Sequence, residues 1–183
     1  MKMYSKLRII LILISSFYFT NCNNGNNKKS GKDIQACDLL TADIIKDVLH
    51  VEGVKNNNPV INEPEGKKTI SNTACDYSLK GNGKNKVYGN YGVYLGLANY
   101  TSKKEAQGWW DGKIKPEEKV EELNSLCDIV YLSVSDDGYC VINIYKDSFV
   151  LYLEIINDTD AKETKEKLIL IAKKILKKLN DKK

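Results

Sequence analysis

The sequence predicts an α+β domain: an antiparallel sheet of about five strands with helices packed on one face, one of them a long C-terminal helix. Three observations carry the prediction. Apolar periodicity reads in the order helix, two strands, helix, three strands, helix. The strand runs are joined by short turn signals, Asp136-Asp137-Gly138 and Lys146-Asp147-Ser148, which suit antiparallel neighbours. The last twenty or so residues carry one apolar stripe opposite a face of lysines, the mark of a helix lying on a core.

The first element is a short helix over 41–50. Thr41 is the N-cap, its hydroxyl able to accept from the backbone N–H groups two or three residues on. Leu40 at N′ and Ile45 at N4 form a hydrophobic staple. Asp43 favours the first turn through the helix dipole. Ile44, Ile45, Val48 and Leu49 recur at helical spacing, and Gly53 fits the stop. Residues 51–72 read as a loop with a short strand at Pro59–Ile61. Ala74–Lys80 and Val87–Asn99 alternate as two strands around the turn Gly81-Asn82-Gly83 and should pair as a hairpin. Ser102-Lys103-Lys104-Glu105 is a capping box opening a helix that holds Ala106, Trp109 and Trp110 and ends near Gly112. Residues 113–125 read as a charged loop. Asp128–Ser133, Tyr139–Tyr145 and Phe149–Ile156 read as three strands. Asp160 caps the final helix, whose stripe is Ala161, Thr164, Leu168, Ile171, Ala172, Ile175 and Leu179.

The N-terminus speaks about location. Lys2, Lys6 and Arg8 precede an apolar run, Ile9–Phe19, too short for a span of about 20 residues but long enough for a secretory leader. Cys22 follows, then the polar run Asn23–Lys32. The whole resembles a bacterial lipoprotein signal, in which the cysteine becomes the first mature residue and bears fatty acyl chains such as palmitate. Phe19-Thr20-Asn21-Cys22 departs from the usual box at Phe19 and Asn21. The expected organisation is a signal peptide over 1–21, a flexible polar tether over 22–35 and one extracytoplasmic domain over 36–181. Acylation at Cys22 would anchor the chain to a membrane of the bacterial cell envelope. Asn23 after the cysteine resembles an outer-membrane sorting signal, with the domain facing the periplasm.

The net charge of +4 owes +3 to the three N-terminal cations, so the rest of the chain carries +1 with both signs interspersed. That gives no electrostatic case for nucleic acid. The single histidine, His50, rules out histidine-rich metal sites, and no motif calls for a cofactor. His50 reads as a helix-end structural residue. Gly81-Asn82-Gly83-Lys84 lacks the glycine spacing and the following hydroxyl of a P-loop. The lysine face of the last helix reads as solvated. Glu117-Glu118 and Glu121-Glu122 read as ordinary surface charge. With no nucleophile–base pair, the expectation is a non-enzymatic binding domain with a protein or glycan partner; the alternatives are an envelope-substrate hydrolase or a purely structural envelope component. The candidate binding surface is Tyr88 and Tyr94 on one strand face, joined by Tyr145 and Tyr152 on neighbouring strands, with helices covering only the other face.

Beyond Cys22 four cysteines stand in an exported chain, an even set that suggests disulfides. Cys37–Cys75 is the preferred bridge, tying first helix to first strand. Cys127–Cys140 is the arithmetic remainder, set against two buried thiols: in a plain hairpin Cys140 faces about residue 133, which leaves Cys127 about 20 Å away.

Cys37-Asp38-Leu39-Leu40-Thr41 with its amphipathic helix, and then Cys75-Asp76-Tyr77, resemble a group of small bacterial lipoproteins of unknown function. Their hallmarks are a Cys-x-Leu-Leu-Thr helix start and a later Cys-x-aromatic. The likeness continues through Tyr100–Ala106, Asp128–Ser133 and the final helix. It implies an extracytoplasmic α+β domain with a Cys37–Cys75 bond and no established activity. The family pattern has Gly at Cys127, so it lends nothing to a second bridge.

Overall fold

The computed structural model describes residues 34–56, 69–79, 84–85, 89–113, 118–134, 139–156 and 161–182, all within one unit, Asp33–Lys183. The leader, Cys22 and most of the tether lie outside the described residues, as do Tyr88, the Pro59–Ile61 strand, the turns at 81–83 and 136–138, and the Asp160 cap.

The chain enters through two helices. A single turn, α1 (Ala36–Leu39), precedes α2 (Ala42–Leu49). Leu40 and Thr41 between them are extended, so the Cys-Asp-Leu-Leu-Thr run is a helical turn and a linker, not only a helix start. Leu39, Leu40 and Ile45 are fully buried, as the staple requires. Thr41 does occupy the N-cap, and its carbonyl accepts from the Ile45 N–H at 3.2 Å. Its hydroxyl caps no amide; it accepts instead from Lys178 Nζ at 3.4 Å, because the C-terminal helix crosses there. The helix ends within the expected 41–50, with His50 rather than Gly53 as its cap. His50 adopts the left-handed conformation (φ 58°) and its N–H bonds Lys46 O at 3.0 Å. Gly53 opens strand β1 (Gly53–Lys55) where the backbone runs against the Ile45 side chain and the Tyr77 ring; an added Cβ would lie 3.1 Å and 3.2 Å from them.

The remaining strands are β2 (Thr69–Leu79), β3 (Lys84–Asn85), β4 (Gly89–Asn90), β5 (Gly92–Tyr100), β6 (Glu118–Lys119), β7 (Ile129–Val134), β8 (Tyr139–Lys146) and β9 (Phe149–Ile156). Helices α3 (Lys103–Lys113) and α4 (Ala161–Asp181) complete the set, with a 3-10 turn at Glu121–Leu123. The main sheet is antiparallel and seven-stranded, in the order β1-β2-β5-β9-β8-β7-β6. The five long strands are the five expected; β1 and β6 are short additions at the two edges. β3 and β4 form a separate two-stranded ribbon between β2 and β5.

Alternation sends one set of side chains to each face. One face carries Cys75, Tyr77, Leu95, Leu97, Leu151, Leu153, Ile142 and Ile144, and helices α1, α2 and α4 close over it to form the principal core. The α4 stripe meets that core through Leu168, Ile171, Ala172, Ile175 and Leu179, with Ile169 and Leu176 added. The fold is therefore α+β with the long C-terminal helix on the sheet. The helices are not confined to one face, however: α3 lies on the other, where Ala106 and Trp110 pack on Tyr100, Tyr145 and Val150. Ala106 and Trp110 are four apart, so a single helix side meets the sheet. The Ser102 hydroxyl accepts from Glu105 N–H at 3.3 Å and starts this helix as its capping box predicts.

Cys37 in α1 is disulfide-bonded to Cys75 in β2, 38 residues on. Cys127 and Cys140 are not bonded to one another: both are buried free thiols. The hairpin register explains why. Cys140 faces Val134, while Asp128 N–H bonds Tyr145 O at the far end of β8, so Cys127 sits near that end. The Cys127 thiol donates to Leu123 O at 3.2 Å instead.

Breaking the Cys37–Cys75 bond by a Cys37→Ala/Cys75→Ala replacement should lower unfolding free energy by about 3–4 kcal/mol in urea titrations, through the longer unfolded chain it releases. Burial pushes each of the two free thiols up from the ordinary 9.0 to about 11. Their neutral forms therefore contribute stability that is fully present below pH 9 and is lost as pH rises towards about 11. Melting temperature should fall across that window, with a shallower slope in Cys127→Ala/Cys140→Ala. In a Cys22→Ser chain, Ellman's reagent should find neither thiol until denaturant is added.

Candidate functional site

The register defines three neighbouring rows on the sheet face opposite the principal core. Asp76, Tyr94, Glu154, Val141 and Ser133 stand side by side across β2, β5, β9, β8 and β7. On one side of that row lie Ala74, Gly96, Tyr152, Asn143 and Tyr131, and on the other Ser78, Gly92, Ile156 and Tyr139. Helix α3 covers only the end beyond Tyr131, so tyrosines 94, 139 and 152 and both carboxylates lie half-buried, with part of each reaching solvent.

Packing shapes this surface. The Tyr94 ring leans over Gly96, where an added Cβ would lie 3.4 Å from it, and meets Tyr152 edge-on with centroids 6.0 Å apart. Tyr152 Oη donates to Glu154 Oε2 at 2.6 Å; Tyr139 Oη lies 3.0 Å from Tyr152 Oη and 3.4 Å from the same carboxylate oxygen. Two tyrosine hydroxyls thus converge on one acid. Across the row, Asn56 Nδ2 donates to Asp76 Oδ2 at 2.7 Å and to Ser78 Oγ at 3.2 Å, which ties the short edge strand to β2. Burial raises the Tyr94 phenol above the ordinary 10.0, with Glu154 and Asp76 adding to it. Tyr152 is raised far more: burial is the largest cause, followed by its bonds to Glu154 and Tyr139.

Of the four tyrosines the sequence singles out, the structure brings Tyr94 and Tyr152 together. Tyr145 shares their face but is covered by α3. Trp110 lies over it with centroids 6.2 Å apart, and its hydroxyl donates to Lys103 O at 3.0 Å. Tyr145 is therefore a buttress of the helix and not part of the surface; Tyr131, stacked on Trp110 at 5.5 Å, marks the border. Tyr139, Glu154 and Asp76 belong to the surface and were not foreseen. Glu154 follows Tyr152 by two residues on one strand, and that parity is the signal that could have found it.

Below α3, Asp128 holds a joint between the helix and the β8–β9 turn. It pairs with Lys103 Nζ at 2.9 Å and accepts from Asp147 N–H at 2.7 Å. Burial pushes the Asp128 carboxyl up, but the Asp147 amide and the Lys103 and Lys146 ammonium groups outweigh it and hold the carboxyl below its ordinary value. The lysine face of α4 is not simply solvated. Lys174 pairs with Asp47 at 2.6 Å and Lys182 with Asp38 at 3.0 Å, clasping α4 to the two entry helices.

Among the described residues no three His, Cys, Asp or Glu side chains are grouped to hold a metal ion. Among them also, no helix is long and apolar enough to cross a membrane. Set against known protein families, characterised proteins and solved structures, the chain matches none.

The Tyr152 hydroxyl, half-buried and bonded to Glu154, should stay protonated through the ordinary phenol range. A spectrophotometric titration near pH 10 should show the same ionising amplitude in Tyr152→Phe as in the parent chain, whereas replacing a solvent-facing tyrosine lowers it.

Proposed function

We propose that the protein is a lipid-anchored lipoprotein of the bacterial cell envelope, whose non-enzymatic domain binds a protein or glycan partner through the Tyr94–Tyr152 face. The observation that carries the binding reading is the group of three half-buried tyrosines around Glu154, on the part of the sheet that α3 leaves uncovered. Tyrosines supply large rigid contact area with a polar tip, which is what interaction surfaces use. The anchoring reading rests on the apolar leader and on Cys22 before the polar run. A Cys37–Cys75 disulfide suits an oxidising compartment outside the cytoplasm, and the resemblance to small envelope lipoproteins points the same way.

Two measurements on cells expressing the chain test it. Labelled palmitate should enter the parent protein and not Cys22→Ala, which should move from the membrane pellet to the soluble fraction. Affinity capture from envelope extracts should recover partners with the parent that Tyr94→Ala/Tyr152→Ala does not. Label in the Cys22→Ala protein would overturn the anchor, and identical partners in both versions would overturn the tyrosine surface.

A further inference from the structure

The three rows around Tyr94 carry two carboxylates and four tyrosines, and no lysine or arginine. Among the described residues neither Asp76 nor Glu154 has an ion-pair partner; their hydrogen bonds come from Asn56 and from tyrosine hydroxyls. The tyrosine bonds to Glu154 both end on Oε2, which leaves Oε1 to accept from a further donor. Tyr94, whose backbone position lies between the two acids, offers a ring to whose face a cation is attracted electrostatically. Anionic points flanking an aromatic ring are complementary to ammonium or guanidinium groups, and the neighbouring rings lower the local dielectric in which they act.

Spacing selects the kind of molecule. Asp76 and Glu154 stand two strands apart, with Tyr94 between them, about 10 Å from one backbone position to the other. A single small ammonium group cannot reach both. A polypeptide in an extended polyproline-like conformation repeats its side-chain direction every third residue, about 9 Å along. Resting on the interaction reading above, we propose that this face takes a basic polypeptide segment, one cationic side chain at Asp76 and a second, three residues away, at Glu154, with the intervening backbone over Tyr94.

The test uses the full-length chain in a non-ionic detergent and a fluorescent peptide containing Lys-Pro-Pro-Lys, followed by anisotropy. Saturable binding is expected. Acetylating one lysine should weaken it about three- to tenfold, as should Glu154→Gln or Asp76→Asn taken singly. Raising salt from about 0.05 M to about 0.5 M should weaken it as well. Glu163→Gln, on the opposite side of the sheet, should bind like the parent, and circular dichroism melting should show the face variants folded. Equal binding of the doubly acetylated peptide would overturn the proposal, as would indifference to both carboxylate changes. Competition by tetramethylammonium as strong as by the peptide would also overturn it, in favour of a small headgroup. Loss of envelope partners in Tyr94→Ala/Tyr152→Ala without any lysine-peptide binding would sink this inference alone and leave the broader interaction reading standing.

Discussion

The pairing of β5 with β9 holds the architecture together. It runs without a break from Gly92 opposite Ile156 to Asn99 opposite Phe149, and it joins two parts of the chain that are each local in sequence. On one side is the β2–β5 hairpin with its edge strand; on the other is the β7-β8-β9 meander. Neither half has a complete core by itself. Once joined, Leu95 meets Leu153 and Leu97 meets Leu151 on one face, all of them inaccessible or nearly so, and α4 has a continuous apolar bed. Such cross-strand pairs with shared burial stabilise a sheet more than strand propensity does.

That one junction also composes the other face. It sets Tyr94 beside Glu154 and Gly96 beside Tyr152, and the β8–β9 pairing then brings Tyr139 within hydrogen-bonding distance. The Tyr94 ring lies over position 96, where even an added Cβ would be in ordinary van der Waals contact with it. The division of this face into a covered end and an uncovered end comes from α3. Trp110 seals the end with Tyr145 and Val150, and the helix stops short of the rows that hold the carboxylates.

The disulfide and the lysine pairs act at the N-terminal edge. Cys37 ties a single helical turn to β2, an element too short to stand alone. Lys174 and Lys178 of α4, and Lys182 just past its end, then reach Asp47, Thr41 and Asp38. The Lys174 bond and charge hold the exposed Asp47 carboxyl below its ordinary value.

Local signals were enough for much of the fold. The α2 stripe, the Ser102 capping box, the five long strands and the buried side of α4 all follow from periodicity and end-group chemistry carried by neighbouring residues. The Cys37–Cys75 bond is the pairing preferred from the sequence, and it is present. What lay beyond reach depended on residues far apart in sequence. The joining of β5 to β9, the placing of α3 on the face opposite α4 and the burial of Tyr145 are consequences of which strand lies beside which. Thr41 gave its hydroxyl to a lysine 137 residues away, and no local rule reports that. The sequence by itself determined the longer elements and the apolar side of each, because both are set by the period of the side chains along the chain. Only the tertiary structure decided which tyrosines share a surface and which acids stand among them, because cross-strand neighbours are chosen by long-range burial and not by adjacency.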